Sequence, residues 1–180
     1  MTTVTYRYDL AADGDAAAIA ELHARSWQAS YRGILPDAFL DGDVVAERTE
    51  KWTARFADRA GTLTVVARDD AGRLAGFAHS VLDDDAAWGT LLDNLHVRPD
   101  LKGQGVGRRL VAETAARLGV VAPGRGLYLW VIEANEPARR FYAAAGGEEA
   151  GRDVWDEYGV DVPIVRMSWR SLDALAGAGR

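Results

Sequence analysis

Six consecutive residues, Lys102-Gly103-Gln104-Gly105-Val106-Gly107, have the composition of a phosphate cradle. An apolar, strand-like run ends at Pro99 before them. Arg108-Arg109-Leu110-Val111 after them opens a helix-like pattern that continues to Leu118. Glycines let the main chain approach an anion, and the unpaired N–H groups of a first helical turn point at it. The dinucleotide fingerprint would need a third glycine at 108 or 110, where Arg108 and Leu110 stand. The P-loop string G-x-x-x-x-G-K-[ST] does not occur. Arg108 and Arg109 near a helix N-terminus oppose its dipole, a conflict that a bound phosphate relieves. Four cations (Arg98, Lys102, Arg108, Arg109) face one anion, Asp100, in this stretch, and Arg139 and Arg140 add two more farther on. A polyanionic ligand suits that bias, although each charge taken singly reads better as a solvated side chain.

Three titratable residues flank the glycine turn and the apolar run after it. Asp93 and His96 lie on the run before the glycine turn, and Tyr142 lies after the next apolar run. Strand alternation puts Asp93 on a face with Leu91 and Leu95, and Asn94 on the other with His96. Asp93 is then either a hydrogen-bonded structural carboxylate or a proton acceptor. Asp83, Asp84, Asp85 and Asp93 form an acidic stretch without a cation. It would suit a cationic amine if the fold carries it to the reacting side.

The elements that must position these residues are legible from periodicity. Val4 to Leu10 reads as a first strand. Asp13 to Asp15 offers an N-cap, and Ile19, Leu22, His23, Ser26 and Trp27 follow at helical spacing. Arg32 to Pro36 breaks that helix, and a second spans roughly Val44 to Ala57. Strands follow at Thr62 to Ala67, Leu74 to Leu82 and Thr90 to Val97, and after the Leu118 helix at Gly126 to Ile132. Asn135 is placed to cap a helix that carries Pro137 early and stops at Gly146. Two late strands occupy Gly147 to Trp155 and Val162 to Trp169, and Ser171 to Arg180 reads as a fraying tail, with a short helix as the alternative. The order β-α-α-β-β-β-α-β-α-β-β makes a mixed α/β domain over residues 1–170, with 171–180 as its C-terminal tail.

Two motifs in this order and at this spacing resemble the GNAT superfamily of N-acetyltransferases. Lys102 to Gly107 is similar to the family's acyl-CoA pyrophosphate loop, [RQ]-x-x-G-x-[GA], with Lys102 where Arg or Gln is usual. Lysine keeps the charge and loses the planar bidentate contact. The run Glu133-Ala134-Asn135-Glu136-Pro137-Ala138, continuing through Phe141 and Tyr142 to Gly146, resembles the second motif. The resemblance covers about Val4 to Trp169. It implies a mostly antiparallel, twisted sheet of about seven strands, splayed between strands 4 and 5 and flanked by about four helices.

The resemblance also implies the chemistry: transfer of an acetyl group from acetyl-CoA to a primary amine by direct attack on the thioester. The cofactor contacts it implies are the main chain of Leu95, His96 and Val97, the loop Lys102, Gly103, Gln104, Gly105, Val106, Gly107 and Arg108, and then Asn135, Ala138 and Phe141. Tyr142 is the implied general acid, and Asp93, then His96, the candidate bases. Trp27, Tyr31, Asp93 and Trp155 are the candidate acceptor contacts. The acceptor is expected to be a small-molecule amine or a peptide N-terminus in an acidic, aromatic-rimmed cleft, and a homodimer is common in the family. The rival readings are an acyl-CoA-binding sensor or partner module without catalysis, and a nucleotide-binding protein using the same glycine turn.

Composition narrows the classes. The 180 residues fit one domain, with 48% hydrophobic and 27% charged residues. The absence of cysteine removes a disulfide framework, a thiol nucleophile and a Cys-rich zinc site, so no metal is expected. A net charge of -6 argues against nucleic-acid binding. No run is long and apolar enough to span a bilayer, and Met1-Thr2-Thr3-Val4 is not the start of a signal peptide, so a cytoplasmic location is expected.

Overall fold

The computed structural model describes residues 5–177. Of the expected first strand, Val4 lies outside the described residues. Seven strands form one sheet in the order β1-β2-β3-β4-β5-β7-β6. They are β1 (Arg7–Leu10), β2 (Thr62–Arg68), β3 (Leu74–Asp85), β4 (Gly89–Val97), β5 (Leu127–Ile132), β6 (Glu148–Trp155) and β7 (Val162–Trp169). Every neighbouring pair is antiparallel except β4 and β5. Among the described residues six α-helices accompany the sheet: α1 (Ala16–Ser30), α2 (Asp37–Asp41), α3 (Val44–Ala57), α4 (Val106–Val121), α5 (Glu136–Ala144) and α6 (Asp173–Gly177). None of the described helices is long and apolar enough to cross a membrane.

Four of these helices match the expectation, α6 is the short helix left open for the tail, and α2 is additional. α2 and α6 are each five residues long, below the length at which a periodic pattern shows. Leu175 of α6 is 1% exposed and packs into the main core, so this part of the tail is held by burial. Asp15 precedes α1 without capping it. Its carboxylate accepts from the Ala12 N–H at 2.8 Å and pairs with Arg68.

Two cores sandwich the sheet. On one face Leu110, Val111, Ala115 and Leu118 of α4 recur at helical spacing and meet Leu92, Leu129, Val165 and Met167. On the other, Ile19 and Leu22 of α1 and Trp52 of α3 pack on Val66 and Phe77. A third cluster, with Trp27, Leu40, Val44, Ile132 and Val162, closes the far end.

The parallel pair is where the sheet opens. A Cβ on Gly89 would lie 2.4 Å from the Gly126 carbonyl oxygen, so only glycine permits this backbone approach. Gly89 also has φ +88°, a left-handed value. The Thr90 N–H donates to the Gly126 carbonyl at 3.0 Å. Past that clamp, β4 and β5 pair only at Thr90–Leu127 and Leu91–Tyr128. Beyond Leu91 the strands separate, and the β4 edge facing β5 is left without a strand partner.

Candidate active site

A cleft of about 1270 Å³ fills the gap between the separated strands. It runs from the glycine turn, past β4 and α5, to α1, α3 and the β6–β7 hairpin. Of the residues singled out from sequence, Trp27, Tyr31, Asp93, Leu95, His96, Val97, Lys102, Gly103, Gly105, Gly107, Arg108, Asn135, Ala138, Phe141, Tyr142 and Trp155 all border it. Gln104 and Val106 do not. The Gln104 amide donates to the Asp100 carbonyl at 3.2 Å, and Val106 is 1% exposed, its side chain inside the α4 core.

The glycine turn has the geometry the sequence pattern requires. Gly103 and Gly105 have φ of +81° and +83°. Gly105 caps α4 without a side chain. The N–H groups of the first α4 turn have no intrahelical acceptor. A Cβ on Gly107 would sit 3.5 Å from Val97 Cγ2 and 3.9 Å from the Phe141 ring, so the helix start lies close against both cleft walls. Arg108 is exposed and makes no ion pair among the described residues, whereas Arg109 pairs with Glu113 at 2.8 Å. Lys102 Nζ reaches Ser30 Oγ at 3.0 Å and ties the turn to the end of α1.

Asn135 caps α5 through Oδ1, which accepts from the Ala138 N–H at 3.3 Å. Its amide N–H groups stay available to the cleft. Two turns on, Tyr142 packs beside Phe141 and Trp169, at ring separations of 5.1 and 6.1 Å. Its hydroxyl has no hydrogen-bond partner among the described residues. Burial pushes this phenol well above its ordinary range, and the neighbouring Tyr31 phenol adds to the shift. Burial likewise pushes Tyr31 up to about 12, against the opposing influence of Arg48. Both hydroxyls therefore keep their protons at neutral pH.

The central strand departs from simple alternation. Asn94 faces His79 and Leu92 faces Ser80, so Asp93 is an extra residue, a β-bulge. The bulge turns Asp93 to the side of Asn94, away from Leu95. Arg55 of α3 holds both, Asp93 Oδ2 at 2.6 Å and Asn94 Oδ1 at 2.8 Å. Leu92, Leu95 and Val97 belong to the α4 core instead. The expected grouping of Asp93 with Leu95 is thus corrected, because one inserted residue inverts the parity after Leu92, while its grouping with Leu91, before the bulge, stands.

His96 accepts or donates at 2.8 Å to Ser26 Oγ through Nδ1, and its ring lies 4.3 Å from that of His23. Burial, then Arg48 and Lys102, push its pKa down to about 3. His96 is a neutral imidazole across the physiological range and a weak proton acceptor. His23 is buried, with Nδ1 accepting from Trp52 Nε1 at 2.9 Å. Its pKa is likewise well below the ordinary value, through burial and then His96, Arg48, Arg55 and Lys51.

The acidic stretch does not reach the cleft. Asp83 pairs with Arg125 at 2.7 Å, Asp84 with the Tyr128 hydroxyl, and Asp85 accepts from the Ala87 and Trp88 N–H groups at 2.7 and 3.0 Å. These residues close the β3–β4 hairpin at the opposite end of β4, so only Asp93 of the four enters the site. Sequence reasoning missed what does line the end of the cleft away from the glycine turn: Arg48, Lys51 and Arg55, one turn apart on α3, together with Trp130 and Glu157. The signal available was the spacing of the three cations on one helical face. Arg48 is buried under Trp27, 4.2 Å from its ring centroid, and is held by Glu47 and by the Tyr158 hydroxyl at 2.7 Å. Trp155 and Tyr158 bring the β6–β7 hairpin against Trp27, at ring separations of 5.7 and 5.5 Å.

The comparisons agree with this architecture. The model of the acetyltransferase (GNAT) family matches residues 16–146. Over 159 residues the chain is 30% identical to the uncharacterized N-acetyltransferase YuaI of Bacillus subtilis (strain 168), covering 87% of this chain and 88% of the relative. The PaiA N-acetyltransferase of Thermoplasma acidophilum, solved in complex with coenzyme A, superposes with a TM-score of 0.69 at 20% identity, over 92% of this chain and 99% of that one. Nourseothricin acetyltransferase superposes with a TM-score of 0.65 at 26% identity, over 91% and 96%. A matched family model over most of the chain and a splayed sheet with a glycine turn at its mouth lead to one assignment: the chain is an acyltransferase and belongs to the GNAT family.

Proposed function

We propose that this enzyme transfers an acetyl group from acetyl-CoA to a primary amine by direct attack, with Tyr142 as the proton donor. The open β4 edge, placed between the glycine turn and Tyr142, carries this reading. The residues fit the cofactor: left-handed glycines and first-turn amides for the pyrophosphate, Arg108 for a phosphate charge, and an unpaired strand edge over residues 92–97 for a pantetheine arm. The amide N–H groups of Asn135 can meet the same arm. Bound acetyl-CoA supplies an activated thioester carbonyl.

The acceptor amine must attack neutral, although a lysine-like amine has a pKa near ~10.4. Arg48, Lys51 and Arg55 disfavour an ammonium ion beside them. Asp93 has one oxygen taken by Arg55 and the other open to receive the proton, directly or through water. A β4 backbone N–H stabilises the oxyanion as the N–C bond forms. The C–S bond then breaks, and the Tyr142 hydroxyl donates to the departing thiolate, whose sulfur resembles a cysteine with a pKa near ~8.5. The phenol, recharged by the proton that the amine has lost, ends the cycle as it began.

The test is thiol release from acetyl-CoA with a panel of amines, alongside calorimetric CoA binding on the same sample. Binding with amine-dependent release is the expected result. Binding without release for any amine would favour a silent acyl-CoA module, and absence of binding would overturn the cofactor assignment.

A further inference from the structure

The acceptor end carries more hydrogen-bonding capacity from cations than from carboxylates. Arg48 is spent on Glu47 and Tyr158 and forms fixed wall. Arg55 donates two hydrogen bonds, to Asp93 and Asn94. A guanidinium has five N–H donors, so three remain. Lys51 makes no hydrogen bond among the described residues. The nearest carboxylate oxygens are at 3.6 Å on Glu157 and 4.0 Å on Glu47, and its side chain is 40% exposed. Two carboxylates border the same space. Asp93 already holds Arg55, and Glu157 stands at the rim with its side chain 55% exposed.

A polycationic acceptor would need carboxylates free to receive it, whereas both carboxylates bordering this space already face a cation and Arg55 keeps unused donors. From the chemistry of this wall, we infer that the acceptor is a small amine carrying a carboxylate or a phosphate a few bonds from its nitrogen, that anion being held by Arg55 and Lys51. The placement fits the reaction. Arg55 contacts the bulge at Asp93 and Asn94, beside the open β4 edge where the thioester is proposed to lie, so the anion sits near the attacking nitrogen. Lys51 stands one turn back along α3, toward the rim. The rest of the acceptor meets the rings of Trp27 and Trp155. The same cations raise the fraction of neutral amine, so one set of charges both selects the acceptor and prepares it.

This inference rests on the acetyltransferase reading, and the experiment separates the two. With saturating acetyl-CoA, kcat/KM is measured for L-phenylalanine, phenethylamine, O-phosphoethanolamine and spermidine. Phenylalanine and phenethylamine differ by the carboxylate alone, and O-phosphoethanolamine tests phosphate as the source of the anion. At least one anionic amine is expected to exceed both phenethylamine and spermidine by about ten-fold or more. Lys51→Gln is expected to erase most of that advantage through KM, and Lys51→Arg to restore it, while calorimetric CoA affinity stays unchanged in both. Spermidine or phenethylamine matching the anionic amines would overturn the inference and leave the transferase standing, as would an advantage indifferent to Lys51→Gln. Turnover of neither anionic amine counts against it equally. Failure to bind CoA would overturn the proposed function, and this inference with it.

Discussion

At the glycine turn the cleft is walled by main chain: φ-positive glycines, the first amides of α4 and the unpaired edge of β4. At the other end it is walled by side chains brought from α1, α3, β4 and the β6–β7 hairpin. Main-chain sites tolerate exchange of most side chains and require only that a few positions be glycine. Side-chain sites can change with every substitution while the frame stays put. A main-chain frame at one end and a side-chain wall at the other is an arrangement that lets one fold carry different sites.

The same contrast explains what the sequence made legible. Gly103, Gly105 and Gly107 announce a backbone requirement at fixed spacing, and the Asn135–Tyr142 helix announces a cap followed by aromatics. Both lie where they were expected. The acceptor end depends on three events that leave little local trace. One extra residue at Asp93 flips a parity that alternation alone assigns. The hairpin tip carries Asp83, Asp84 and Asp85 away from the site, and only strand order decides that. Arg48, Lys51 and Arg55 look like the solvated face of an amphipathic helix until α3 is docked beside β4. α2 and α6 are too short to show a period, and long-range burial, as at Leu175, gives the latter its place.

Substitutions at the two ends of the cleft should differ in the size of their effects. The largest effect is expected at the clamp that opens the sheet. Gly89→Ala forces a Cβ into the Gly126 carbonyl and should cost on the order of 3 kcal/mol or more. A denaturant midpoint indistinguishable from the parent would show that the clamp is not what fixes β4 against β5. Next is Tyr142→Phe, expected to lower kcat by about 10²-fold, at the low end for loss of a proton donor, with CoA affinity retained. Calorimetry and steady-state rates on one preparation check both halves, and an unchanged kcat removes Tyr142 from the chemistry.

Lys102→Ala sharpens the main-chain claim. If amides do most of the binding, the loss of this exposed lysine, whose ammonium reaches Ser30, should weaken CoA by less than about ten-fold. A hundred-fold loss in calorimetry would make the loop a side-chain site after all.

The smallest effect concerns His96. Its pKa in the folded protein, about 3, lies below the unfolded value of 6.5, so between those pH values the unfolded chain binds the extra proton. Stability contributed by keeping it neutral is complete above 6.5 and is lost as pH falls toward 3. His79, pushed down to about 4 chiefly by burial, acts in the same direction. His96→Gln should flatten the acid limb of a stability–pH profile and leave stability near pH 8 changed by no more than about 1 kcal/mol. An acid limb of unchanged slope would mean that His96 titrates normally.

Amide hydrogen exchange with and without CoA tests the division of the cleft most directly. CoA is expected to add protection at residues 92–97 and 103–108, with α3 and the β6–β7 hairpin unaltered until an acceptor is added. Protection confined to α3 and the hairpin, or none at the glycine turn, would contradict that division.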